Sequence, residues 1–530
     1  MLFIPSLTSH IPLLKSEVHM RSKATSGVFK ATVGLSAISI VSKILAFARE
    51  QFIAWRFGAS ASVDSYVAAF TAPQLLAGIL GGAVAAAFLP VYTAQRAKSE
   101  EAGQQLAGTS LLAVVLISGL GSALMLAFAP GIVRLLVGNF PLEQQQLTVQ
   151  LLRIMSAGVT LLSLSFFLTM LLNSHREFMM PALVPVLSNI VLVVGLVFLG
   201  SWGVVGLSVF TTLGMGIPIL VLVWAIYRRR IKIGFHYAFA STAFRRVAAL
   251  SVPIFASSAF GQVYQLVDRR LASGLDAGSL ASLNFAVKLA QLPIAIFVTA
   301  LVTAVYPTLA YQASQRDLRG FGETVSASLR GVSLLLIPAA VGMFVLQTPI
   351  VRLAFERGSF DEIATARTAV ALGYYALGIL GLAMAQVLAR AFYSLQDTLT
   401  PVKVGIATAT INVALAFILV RPMGHGGLAL ANSLGYFFNS GMLLLILSSK
   451  LRRGALDFAP LVGKAVLASL MMGAVAYGVH GLVSARFGQI ISLGSAVGFG
   501  VAVYGIMLLV LKVEEVNMVR RRLLRMLGRN

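Results

Sequence analysis

Lys43 and Arg49 lie six residues apart in one apolar stretch, and Lys288 lies in another. Asp268, Arg269 and Arg270 are consecutive in a third, and Asp64 opens a fourth. A cation deep in hydrocarbon is costly, so such a residue normally faces a wet cavity and has a task there. Lys43, Arg49 and Lys288, with few acids near them in the sequence, point to an excess of positive potential and hence to an anionic ligand. Phosphate or diphosphate suits arginine and lysine donors. Asp64 is read as orienting these donors or releasing a cation. Asp268 with Arg269 or Arg270 has two readings, as ligands of the same anion or as a structural pair that neutralises itself. Arg56 and Arg153 sit near segment ends, where long basic side chains snorkel to the interface.

Other chemistries lack their residues. There is no cysteine, and the six histidines are scattered with no metal-binding pair among them. No phosphate-binding loop of the GxxxxGK[ST] type is present, and the apolar segments hold no carboxylate pair for acid–base work. A membrane glycosyltransferase or phosphatase would need such a constellation, but His175, Glu177, Asp397 and Asp457 fall in separate loops. The expectation is a transporter and not an enzyme.

The elements that carry these residues are membrane helices. Of 530 residues, 58% are apolar and 11% charged, whereas a soluble chain has roughly a quarter charged. A span needs about 20 apolar residues. Fourteen segments satisfy this, near 28–57, 63–94, 106–128, 149–172, 180–199, 203–227, 245–273, 280–311, 326–347, 365–394, 401–420, 426–448, 460–483 and 489–512. The net charge of +23 is read as the positive-inside rule, with no nucleic-acid partner. With both termini cytoplasmic, the inside segments hold 28 of the 41 basic residues and the outside segments six. Residues 1–27 are expected to be a cytoplasmic tail without signal-peptide character, with Met20 as good a start as Met1.

The chain repeats itself. Arg176, Pro181, Asn189 and Gly206 are echoed by Asp397, Pro401, Asn412 and Gly427, about 220 residues on. The run from Gly58 to Pro90 parallels Gly274 to Pro307. The expected fold is therefore an all-α polytopic membrane protein with two pseudo-symmetric six-helix lobes plus two C-terminal helices. The lobes would be 28–227 and 245–448, joined by a basic linker at 228–244, with spans 13 and 14 at 449–512 and a basic tail at 513–530. Two such lobes around a cavity suit alternating access.

SKILAFAREQFIAWRFGASASVDSYVAAFTAPQLL (42–76) resembles the N-terminal signature of the MurJ/MviN lipid II flippases of the MOP exporter superfamily. VDRRLASGL…LNFAVKLAQLP (267–293), FERGSF (355–360) and RAFYSLQDTLTPVK (390–403) resemble three further signatures, in order, so that the likeness covers about 28–512. The resemblance implies a V-shaped cavity and export of the undecaprenyl-diphosphate-linked peptidoglycan precursor, lipid II, across the bacterial cytoplasmic membrane for cell-wall synthesis. It places the family's functional first-span arginines on Lys43 and Arg49, its acid after the FGA turn on Asp64, and its span-8 arginine on Lys288. Asp268 and Arg270 are taken with them as substrate-binding. Two positions depart: Ala77 and Gly78 stand where the family often has an arginine, with its following acid lost within Gly81-Gly82, and Val287 replaces an aspartate. These motivate a second reading, a flippase for another polyprenyl-linked saccharide or a drug exporter of the same superfamily. Some members hold sodium; Asn412 fits one ligand position, but the acid expected a turn later is Ala416. Sodium or the membrane potential is thus the expected driving force, without another cofactor, and cell-wall synthesis proteins are the expected partners.

Overall fold

The computed structural model describes residues 34–35, 37–198, 202–234, 238–451 and 457–515. The expected N-terminal tail (1–27) and most of the basic C-terminal tail lie outside them. Among the described residues every regular element is helical. They are α1 (37–57), α2 (Ala61–Lys98), α3 (Glu100–Ala127), α4 (Ala129–Val137), α5 (Leu142–Met155), α6 (Gly158–Ser174), α7 (Met179–Phe198), α8 (Gly203–Arg228) and α9 (Thr242–Ala272). There follow α10 (Ser279–Ala290), a π-helical turn (Ile294–Val298), α11 (Thr299–Ser314), α12 (Leu318–Val345), α13 (Gln347–Phe355), α14 (Glu362–Ser394), α15 (Leu399–Lys450), α16 (Ala459–Ser484) and α17 (Gln489–Val510).

Among the described residues, eleven helical stretches are long and apolar enough to cross a membrane, against the fourteen apolar segments of the sequence. Three segments make the difference. Of the first, only 34–35 and 37–57 are described. Helix α9 is not among the eleven, although its charges Arg245, Arg246, Asp268, Arg269 and Arg270 lie at its two ends and leave an uncharged stretch between them. Helix α15 counts once although its 52 residues would reach about 78 Å at 1.5 Å per residue, far beyond any bilayer. It breaks at Gly424 (φ 56°, ψ −134°), two residues after Pro422, which has no N–H to give the helix. Its two halves fall on two of the fourteen expected segments.

The chain divides into two compact units. One comprises 1–52, 73–126 and 153–255; the other comprises 53–72, 127–152 and 256–530. The core of the first is built where α2, α3, α6 and α8 pack, around Phe88, Tyr92, Phe167, Leu171 and Leu222, all almost wholly buried. In the second, Phe285, Phe355 and Phe360 meet ring to ring, with centroids 5.1–5.7 Å apart.

The internal repeat has a structural counterpart at the helix ends. Arg176 and Gln396 both take left-handed backbone, at φ 59° and 60°. In each case the next N–H, of Glu177 or Asp397, returns five residues to Leu172 O or Phe392 O, the wrap that satisfies the last carbonyls of a helix. The acid then binds the base that ends a later helix: Glu177 accepts from Arg229 Nε at 2.8 Å, and Asp397 accepts from Lys450 Nζ. The Lys450 ammonium and the Thr400 N–H and hydroxyl hold the Asp397 carboxyl at about 2, below its usual range, so the carboxylate stays ionised at physiological pH. The same wrap, with a cation in the left-handed position, follows α8, α11 and α17 at Arg230, Arg316 and Lys512. A cation there also complements the negative end of the helix dipole.

Candidate functional site

In the first unit, α1 runs unbroken through Lys43 and Arg49. Both are half-buried. Arg49 does not stand alone. Its Nε and Nη2 donate to Glu50 Oε1 at 3.1 and 2.6 Å, and its Nη1 donates to Asn189 Oδ1 at 3.0 Å. Asn189 Nδ2 in turn reaches Ser42 O at 3.4 Å. Glu50 is only 3% exposed, and burial of a lone carboxylate would be costly, so the guanidinium neutralises it. Sequence reasoning placed few acids near these cations and passed over Glu50. The Arg-Glu dipeptide within an apolar span was the available signal.

In the second unit, Asp64 in the first turn of α2 is buried and fully bonded. Its Oδ2 accepts from the Gly278 N–H and its Oδ1 from the Ala281 N–H, both at 2.6 Å. These are orphan donors at the N-terminus of α10, where the helix dipole also favours an anion. Gly278 has φ +88°, and a Cβ there would lie 2.1 Å from the Ala59 carbonyl oxygen, so only glycine permits the approach. The turn before α2 and the turn before α10, which belong to the two repeated segments, are thus held together by one carboxylate.

The remaining candidates lie along α9, α10 and α15 of the same unit. Asp268 is bonded to Asn432, whose Nδ2 donates to Oδ2 at 2.9 Å. No ion pair joins it to Arg269 or Arg270 among the described residues; Asp268 Oδ1, Arg269 Nε and Arg270 Nη1 are buried without a hydrogen-bond partner. Asp268 and Arg269 thus share no direct hydrogen bond, although both line one cavity. Asn412 donates through Nδ2 to Asn432 Oδ1 at 3.3 Å, which completes a line Asn412–Asn432–Asp268 and leaves Asn412 Oδ1 buried and unbonded. Asn432, the hub of this line, was missed because an amide in an apolar segment usually reads as a packing contact. Asp268, Arg269, Val287, Gln291 and Asn432 line a cavity of about 200 Å³. Lys288 sits on the last turn of α10, just before the helix is disrupted at Gln291 and Pro293 and rewound as a π-turn, a distortion common at functional positions.

Two of the positions that depart in the sequence, Ala77 and Gly81, sit in tight surroundings, whereas Gly78 and Gly82 have open space beside them. Ala77 is fully buried. At Gly81 a Cβ would lie 2.5 Å from Ser163 Cα, so α2 and α6 touch through backbone and no acid fits there. Gly81→Asp is expected to prevent stable accumulation, since overpacking combined with a buried unpaired charge costs several kcal/mol, on the order of the whole folding stability. Fluorescence-detected size exclusion of tagged protein checks this, and a monodisperse parental peak would contradict it.

Among known families, the description lipid II flippase MurJ matches residues 53–497. The lipid II flippase MurJ of Burkholderia cenocepacia is 29% identical over 476 residues, covering 84% of this chain and 89% of the relative. The probable lipid II flippase MurJ of Thermotoga maritima is 28% identical over 500 residues, covering 93% and 98%. A solved structure of lipid II flippase MurJ in an inward closed conformation superposes with a TM-score of 0.78 at 26% identity, covering 89% of this chain and 97% of that one. An inward-facing MATE-family multidrug transporter of the MOP superfamily shares the fold alone, with a TM-score of 0.68 at 14% identity over 81% of this chain and 98% of that one. With polytopic helices, cations within the spans, four signatures in order and a match over most of its length, the chain belongs to the MurJ lipid II flippase family.

Proposed function

We propose that the protein carries lipid II from the inner to the outer leaflet of the bacterial cytoplasmic membrane by alternating access, with both termini cytoplasmic. The family match over 53–497 carries this reading. Lys43, Arg49 and Lys288 engage the diphosphate, with Arg270 and Asp268 contributing beside them; the glycopeptide head crosses a polar cavity and the polyprenyl tail stays in lipid. Arg49 reaches the substrate by giving up Asn189 for a phosphate oxygen at Nη1 while Nε and Nη2 keep the buried Glu50 neutralised. With the termini inside, the turns before α2 and α10 face outward. The Asp64 clamp can exist only while these two turns are together, so it closes the outer side and must break for release.

Two driving forces fit. Asp268 Oδ1 and Asn412 Oδ1 are two buried oxygens without partners on residues that both bond Asn432; a small hard cation completed by water would suit such oxygens, and sodium there would tie an ion gradient to the α9–α15 contact. The membrane potential supplies about 2.3 kcal/mol per charge per 100 mV. Cell-wall synthesis proteins that consume the exported lipid are the natural partners.

Proteoliposomes test the whole reading. Purified protein is expected to expose lipid II on the far leaflet, faster when a sodium gradient or an inside-negative potential is imposed. Native mass spectrometry of the same preparation is expected to show lipid II co-purifying. Another undecaprenyl-linked saccharide in its place, with no lipid II movement, would move the assignment to the second reading motivated by Val287.

A further inference from the structure

Gly278 N–H and Ala277 C=O belong to one peptide group. Its N–H donates to Asp64 Oδ2 at 2.6 Å. Its C=O accepts from Arg367 Nη1, on α14, also at 2.6 Å. A single peptide plane is therefore gripped by a carboxylate on one side and a guanidinium on the other. Charges at the two ends of a peptide dipole polarise it in the same sense, so each bond strengthens the other. Arg367 itself is held: its Nη2 lies 3.1 Å from Asp276 Oδ2, and its carbonyl oxygen accepts from His425 Nε2 at 2.9 Å. The Asp276 contact is the weaker anchor, since that side chain is 83% exposed and exposed pairs contribute little.

We propose that Arg367 is a positioning residue for the outer closure, presenting the 277–278 peptide to Asp64 and opposing its rotation. The proposal rests on the reading of the Asp64 clamp given above. Glycine at 278 is what makes rotation of that plane accessible, because glycine alone adopts both signs of φ at little cost. One peptide flip would break the Asp64 and Arg367 bonds together, which makes the plane a two-state element at the seam. Without Arg367 the carbonyl end is free, and the flipped, unclamped state gains population.

The absence of native cysteine allows a direct test. Ser282 is fully buried one turn into α10, and its hydroxyl has no hydrogen-bond partner among the described residues, so Ser282→Cys supplies a single, near-isosteric thiol at the seam. Its modification rate by a maleimide is measured on full-length protein in lipid nanodiscs. Arg367→Gln is expected to raise the rate about tenfold, the scale of one lost charge-assisted hydrogen bond, and Asp64→Asn, which disturbs both clamp bonds, by about a hundredfold or more. Asp276→Asn should leave it at the parental value, and the Asp64→Asn/Arg367→Gln double variant should be no faster than Asp64→Asn alone, because both act on one peptide. A parental rate for Arg367→Gln beside a raised rate for Asp64→Asn overturns the role of Arg367; additive effects, or an equal rise in Asp276→Asn, do so as well. Parental rates in both single variants overturn the clamp itself. If Arg367→Gln does not accumulate, Arg367→Lys, with one donor direction in place of a fork, is expected to show a smaller rise of about threefold, and a parental rate there overturns the proposal.

Discussion

Asp64→Asn is expected to abolish rescue of a strain depleted of its own lipid II flippase, while the protein still reaches the membrane. The carboxylate is isosteric with the amide, so packing is unchanged. Its bonding is not. Both carboxylate oxygens accept from backbone N–H groups at 2.6 Å, and asparagine offers one acceptor and turns an NH₂ toward the other donor. One charge-assisted bond is lost, one donor–donor contact is created, and the favourable end of the α10 dipole loses its counter-charge. These terms together amount to roughly 3–5 kcal/mol, enough to shift a two-state closure from nearly always formed to nearly always broken. Asp64→Glu is the informative neighbour, since it keeps the charge and displaces it by one methylene; partial rescue is expected. Immunoblotting of membranes and growth under depletion read both. Full rescue by Asp64→Asn at normal abundance would show that the carboxylate charge has no part in the cycle.

The sequence could point to Asp64 but not to what it holds. An acid at the mouth of an apolar segment is conspicuous, whereas the N–H groups of Gly278 and Ala281 belong to the backbone and leave no signature. The same limit applies to Arg367, whose partner is the Ala277 carbonyl. Where both partners are side chains, the sequence says more: Asn189 and Asn412 stand out as repeat-related amides, and the one bonds the candidate Arg49 while the other bonds Asn432, the partner of Asp268. Helices were legible because hydrophobic length alone requires them in a bilayer. Their breaks were less so. Pro422 and Gly424 divide α15 where two segments were expected, but Pro185 and Pro218 lie inside α7 and α8 without ending them, since a missing N–H is tolerated where neighbouring helices compensate.

Asp268 shows how an adjacent charge can mislead. Consecutive residues on a helix diverge by about 100°, so Asp268 and Arg269 do not face each other. Asp268 turns to Asn432 on another helix, and Arg269 turns into the tyrosine-lined cavity with Tyr264, Tyr375 and Tyr436. Arg49 and Glu50 are also consecutive, yet they bond. Both pairs hold an arginine of the same reach, and what differs is the partner supplied by another helix, Asn189 for Arg49 and Asn432 for Asp268, which spacing does not encode.

That pairing sharpens what substitution of Arg49 should do. Arg49→Ala is expected to eliminate rescue of the depleted strain, for two reasons that must be separated. It removes a fork suited to two parallel bonds with a diphosphate, and it takes the Arg49 counter-charge away from the buried Glu50, a defect of up to about 3–5 kcal/mol by itself. The variant Arg49→Ala/Glu50→Gln removes the second defect, since a neutral amide can stay buried, and should restore abundance in the membrane. If Arg49 binds substrate, this double variant accumulates and still fails to support growth. If Arg49 serves only to neutralise Glu50, it accumulates and grows. Arg49→Lys keeps the charge but not the fork, and should support growth partially, with lipid II retained less well through purification. Lys43→Arg, which supplies a fork where this chain has an ammonium, should be tolerated. Growth of the Arg49→Ala/Glu50→Gln strain at the parental rate would remove Arg49 from the substrate site and leave Lys43 and Lys288 to carry the diphosphate.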